Sequence, residues 1–123
     1  HADTDDDYRH TASELTSLLL SADPSDPDRA RRILDRATGA FHDEFAQSAT
    51  SYIDYVRRTG TVGEATVEGS GVSGRSGDDA TVLVVAAVAY RGQTPAPVRE
   101  FRLRMLVVPD DGALRVSAVQ YLP

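Results

Sequence analysis

Glu100-Phe101-Arg102-Leu103-Arg104-Met105-Leu106-Val107-Val108 opens with strict alternation: Phe101, Leu103, Met105 and Val107 fall on one side, Glu100, Arg102 and Arg104 on the other. A period of two places one face of a strand in a core and the other in water. Downstream, Pro109-Asp110-Asp111-Gly112 reads as a tight hairpin with Gly112 suited to a positive φ, and Leu114 to Leu122 forms a last strand. Upstream, Ala80 to Tyr90 is apolar on both alternations through Val82-Leu83-Val84-Val85-Ala86-Ala87-Val88, which predicts an interior strand covered on two sides. The stretch from Gly92 to Pro97 turns the chain between these two strands. A first strand spans Val62 to Val72, where Gly69 and Gly71 indicate a bulge, a bend or close packing, and Ser73 to Asp79 reads as an exposed flexible loop.

Before Gly60 the period is helical. Tyr8, Ala12, Leu15 and Leu19 make one stripe of a first helix ending near Ser21, and the acids Asp3, Asp5, Asp6 and Asp7 read as its solvated start. Asp26 before Pro27 predicts an N-cap and first helical residue, with Ala30, Ile33, Leu34 and Ala37 as the apolar face of a short helix stopping at Gly39. A third helix from Ala40 to Arg58 turns Phe41, Phe45, Ala49, Tyr52, Ile53 and Val56 inward and ends at Gly60, a residue suited to the left-handed C-terminal conformation. Three helices followed by four hairpin-joined strands predict one α+β domain over residues 1–123, an antiparallel sheet curled around helices on one face. Its expected core holds Phe41, Phe45, Tyr52, Phe101, Leu103 and Met105.

A chain of 123 residues buries enough apolar surface to fold without staples. The composition, 41% hydrophobic and 26% charged, is that of a globular protein. Its net charge of -6, with thirteen scattered arginines as the basic residues, argues against a nucleic-acid partner. The absence of cysteine excludes disulfides, thiolate nucleophiles and zinc-thiolate sites. The acidic start lacks the glycine turn and distal acid of a calcium loop, and His42-Asp43-Glu44 lacks the histidine spacing of a helical zinc site. No phosphate-binding glycine loop, dinucleotide fingerprint or nucleophile elbow occurs, so no cofactor and no catalytic residue is assigned. The rival enzymatic reading would use Asp54 or His42 as a proton shuttle in a cavity.

Two constellations remain. Arg102 and Arg104 share a strand face, with Arg99 and Arg115 nearby, and form a candidate partner or subunit contact, because a guanidinium grips a carboxylate with two bonds. Phe45, Ala49, Tyr52 and Phe101 would line a lipid-sized pocket if the third helix stood off the sheet.

The element order and several segments resemble the extracytoplasmic domain of actinobacterial Mce-associated membrane proteins. The likeness runs through Ala37-Thr38-Gly39-Ala40-Phe41-His42-Asp43-Glu44-Phe45, Ala65-Thr66-Val67-Glu68-Gly69-Ser70-Gly71-Val72 and Asp79-Ala80-Thr81-Val82-Leu83-Val84-Val85-Ala86. It continues in Arg102-Leu103-Arg104-Met105-Leu106-Val107-Val108, Asp111-Gly112 and Val116-Ser117. Departures fall at Ala87-Val88, where family members often carry Asn-Gln, at Leu114, often an aromatic, and near Ala118, often an acid. The resemblance implies a nuclear-transport-factor-2-like (cystatin-like) cone and a membrane helix preceding His1. It further implies an anchored location outside the cytoplasmic membrane and a non-enzymatic scaffold role in a Mce lipid or sterol import complex. The partners so implied are Mce complex proteins, with direct lipid binding as a further option. The same fold serves VirB8-type secretion-channel assembly domains and small isomerases and cyclases, which are the alternatives.

Overall fold

The computed structural model describes residues 3–92 and 97–123. Thr4 opens the first helix with a reciprocal cap: its hydroxyl accepts from the Asp7 N–H at 3.3 Å, and the Asp7 carboxylate accepts from the Thr4 N–H at 2.8 Å. The acidic run forms the first turn of α1 (Asp5–Leu20), where negative charge offsets the helix dipole. Tyr8, Ala12 and Leu15 of the predicted stripe are buried, together with Thr16, whose hydroxyl donates to the Ala12 carbonyl at 2.8 Å. That local bond removes the cost of placing a hydroxyl in the core.

The second helix departs from expectation at both ends. α2 runs Arg29–Asp35, so Pro27 precedes it and Asp28 stands at the N-cap. Asp26 does not cap, because its carboxylate lies between the guanidinium groups of Arg29 and Arg32, and two charge-assisted bonds hold it more strongly than a backbone N–H would. Residues 36–38 leave the helix to pair with the last strand: Val116 N–H donates to the Arg36 carbonyl and Thr38 N–H to the Val116 carbonyl, each at 2.9 Å. Gly39 therefore opens α3 (Gly39–Thr59), which ends as predicted on left-handed Gly60.

β1 (Gly63–Ser76), β2 (Asp79–Tyr90), β3 (Val98–Asp110) and β4 (Ala113–Leu122) form one antiparallel sheet in the order β1-β2-β3-β4. The predicted flexible loop after Val72 is strand instead: β1 continues to Ser76 and turns through Gly77, at φ 58°, and Asp78. Two register shifts, between Val67 and Gly69 and between Val72 and Gly74, let β1 stay paired over this length while bending. The β3–β4 hairpin is tighter than predicted, with Asp110 opposite Ala113 and both turn residues, Asp111 and Gly112, at positive φ. The turn predicted between β2 and β3 falls largely outside the described residues.

Ala80, Val82, Val84, Ala86 and Val88 of β2 and Leu103, Met105 and Val107 of β3 are buried on the inner face. α1 packs across all four strands there, whereas α3 approaches only β4 and α2. The core is accordingly built on Tyr8, Leu15 and Ile33 rather than on the aromatics of α3. Of the six expected core residues, Leu103 and Met105 are fully buried, Phe41, Phe45 and Phe101 pack at the core's margin, and Tyr52 lies half-buried outside it. Both amphipathic helices carry an apolar stripe, and the sheet's inner face is taken by α1. The fold class itself, α+β with helices on an antiparallel four-stranded sheet, is the one the alternation predicted.

Candidate functional site

The sheet's outer face carries the arginines that the sequence singled out. Strand register sets Gly69 beside Val85 and Val85 beside Arg102, and in the next row on the same face Gly71 beside Leu83 and Leu83 beside Arg104. Arg102 donates to the Pro123 carbonyl at 2.9 Å and Arg104 to the Gln120 side-chain oxygen at 3.0 Å. Neither meets an Asp or Glu carboxylate within ion-pair distance among the described residues, nor does Arg99. Arg115 is placed elsewhere. Its guanidinium donates to the carbonyls of Asp35 at 3.0 Å and Asp110 at 2.5 Å, tying the β3–β4 hairpin to the end of α2, so it does not join the patch.

Beside Arg102 and Arg104, Leu83 and Val85 are 37% and 38% exposed. β2 was expected to be covered on two sides; it is interior to the sheet, yet only its inner face is covered, because all three helices lie on that side or at the β4 edge. The double apolar alternation was the signal for these two residues. It marks both faces as apolar and leaves open what sits on the second.

The expected pocket residues are brought partly together. Phe45 packs at a tilt against Tyr52, at 6.0 Å between ring centroids, and against Phe41 at 6.2 Å, while Phe101 meets Tyr121 edge-on at 6.4 Å. Ala49 is half-buried on the same helix. The Tyr52 hydroxyl donates to the Ser21 carbonyl at 3.1 Å, and burial raises its ionisation above the usual phenol value. The cavity that Tyr52 lines lies between α2 and α3, against Pro24, Pro27 and Ala30. It holds about 20 Å³, room for one water and not for an acyl chain.

The titratable candidates lie at the surface. Asp54 is exposed, and the His42 ring nitrogen Nδ1 sits 3.1 Å from its neighbour Asp43 with both side chains in water. No three metal-binding side chains converge among the described residues. No described helix is long and apolar enough to cross a membrane.

A family model described as "Uncharacterized protein Rv1363c/MT1408-like" matches residues 5–123. The uncharacterized protein Rv1363c of Mycobacterium tuberculosis (strain ATCC 25618 / H37Rv) is 31% identical over 111 residues, covering 89% of this chain and 41% of that protein. The chain thus spans less than half the length of this relative. Among solved structures, the periplasmic domain of DotI superimposes with a TM-score of 0.79 at 14% identity, covering 100% of this chain and 98% of that one. Agrobacterium tumefaciens VirB8 gives 0.62 at 11% identity, covering 92% and 88%. An Ntf2-like protein involved in plasmid conjugation gives 0.57 at 20% identity, covering 93% and 47%. At these identities the structures carry the fold, which is the nuclear-transport-factor-2-like one. None of the proteins named here is described as Mce-associated.

Proposed function

We propose that this chain, which belongs to the Rv1363c/MT1408-like family, is a non-enzymatic protein-docking domain of an envelope complex, working outside the cytoplasmic membrane as secretion-channel assembly domains do. The observation that carries this reading is the division of chemistry between the two faces of the sheet. The inner face is filled by α1, while exposed aliphatic side chains and arginines without an Asp or Glu partner among the described residues sit on the outer face. An enzyme of this fold needs a cavity with tuned acids or bases; a docking domain needs a specific solvent-facing surface. The structural likeness to the periplasmic domain of DotI and to VirB8 favours the secretion-channel alternative over lipid import, and the cavity that Tyr52 lines, at about 20 Å³, is too small for an acyl chain.

The test is affinity purification of the full-length protein from membranes of its native cells, with identification of the co-purifying proteins. Recovery of envelope-complex subunits in stoichiometric amounts supports the proposal. Recovery of Mce substrate-binding subunits restores the import scaffold suggested by the sequence resemblance, and a membrane-free, partnerless protein refutes docking altogether.

A further inference from the structure

We infer that the outer sheet face receives an acidic amphipathic polypeptide segment, its apolar side chains on Leu83 and Val85 and its carboxylates on Arg102 and Arg104. This deepens the docking reading above and rests on it. The register arranges the face in three adjacent lanes: bare glycine on β1, aliphatic side chains on β2, arginine on β3. With strands roughly 4.8 Å apart, the three lanes span about 10 Å, the width of one helix.

Each lane bears on what the occupant must be. Leu83 and Val85 are large side chains in consecutive rows of one face, both more than a third exposed, so an occupant that removes them from water gains apolar burial. Arg102 and Arg104 each bond one oxygen on the β4 side, which leaves most of their five donors free for a planar, bidentate carboxylate. Glu100, the acid on the same strand face, pairs with neither of them. In a chain of net charge -6, two arginines without an Asp or Glu partner among the described residues, beside exposed aliphatics, are complementary to an acidic segment and repel a basic one.

The glycine lane agrees independently. Neither Gly69 nor Gly71 has a positive φ, and a Cβ at either would meet nothing within 4 Å. Neither the backbone nor the packing of this chain requires glycine there, although glycine weakens a strand. A flat strip beside the aliphatic lane allows the backbone of the occupant to approach closely. An anionic membrane surface fits less well, since only two arginines face outward in this patch of an acidic protein.

The experiment selects twenty-residue random peptides displayed on phage against the purified chain, then measures the winners by fluorescence anisotropy. In parallel, the chain is tested for sedimentation with phosphatidylglycerol vesicles. The expected winners combine aliphatic residues with Asp or Glu. They lose about tenfold or more in affinity for R102E with R104E, and again for G71V, which blocks the flat lane. L83S provides a second test should G71V disturb the fold, which circular dichroism and the thermal midpoint report. Winners without acids, winners indifferent to all these substitutions, no enrichment, or vesicle sedimentation in place of peptide binding each overturn the inference. Failure here is separable from failure of the docking proposal. Undiminished co-purification of envelope subunits with the R102E/R104E protein leaves docking standing on another surface. Peptide binding by a chain that recovers no subunits leaves the face standing and removes the envelope role.

Discussion

Leu15→Ala and Phe45→Ala together test which helix closes the sheet. Leu15, on α1, is 0% exposed and sits in the main cluster with Tyr8, Val82, Val84 and Met105. Removing its isobutyl group loses the transfer free energy of that group and leaves a cavity that close-packed strands cannot collapse, costing about 3–4 kcal/mol. Phe45, on α3, is half-buried and lies at the cluster's margin. Water can occupy the space it vacates and its aromatic contacts are partly solvated, so its truncation costs about 1–2 kcal/mol although the ring is the larger group. For 123 residues the unfolding entropy is about 0.26 kcal/mol/K, so each kcal/mol lowers the thermal midpoint by about 4 °C. Leu15→Ala should therefore melt about 12–16 °C below wild type and Phe45→Ala about 4–8 °C below, measured by circular dichroism with urea melts as an independent check. A loss for Phe45→Ala equal to or above that for Leu15→Ala would mean that α3, not α1, packs the sheet, and the assignment of the core would be wrong.

Gly71→Val should leave the isolated domain as stable as wild type or raise stability by up to about 1 kcal/mol, because the new side chain meets open space and favours the strand; a measured loss would mean the glycine is needed within the monomer. Gly39→Ala should cost about 1 kcal/mol through its left-handed φ of 56° rather than through collision, since Ser117 Cβ lies at 3.7 Å, an ordinary contact; an unchanged urea midpoint would contradict this. Asp23 titrates below the usual carboxylate value because the Ser25 N–H at 2.9 Å and hydroxyl at 2.8 Å donate to it. Its stabilising effect is present above the unfolded value and lost as pH falls through the lower folded one, and Ser25→Ala should move the titration, followed by carboxyl NMR, upward. A titration that stays in place would remove the Ser25 hydroxyl from that explanation, the backbone bond remaining.

Local rules read well wherever a residue's neighbours in sequence are also its neighbours in space. The alternation of Phe101 to Val107 made a strand, the stripe of Tyr8, Ala12 and Leu15 made a helix, and Gly60 capped one. They misread Asp26, whose nearby arginines compete for the same carboxylate as the helix terminus. They also misread Gly39, because the chain around Ala37 is held by Val116, nearly eighty residues away in sequence.

The candidate site divides in the same way. Arg102 and Arg104 could be placed on one face from the period alone, since side chains two apart on a strand share a side whatever surrounds them. Arg115 could not be separated from them until the end of α2 was seen to accept its guanidinium. Nor did composition reveal that Leu83 and Val85 stand in water, because an apolar residue in a strand specifies a preference for cover without specifying which layer supplies it. The elements, their order and the two faces of each strand were legible from the residues alone, for these follow from dihedral preferences and periodicity. Packing in three dimensions settles which of two amphipathic helices occupies the inner face, and it leaves the outer face without a covering layer among the described residues. Both outcomes depend on competition among surfaces far apart in the chain.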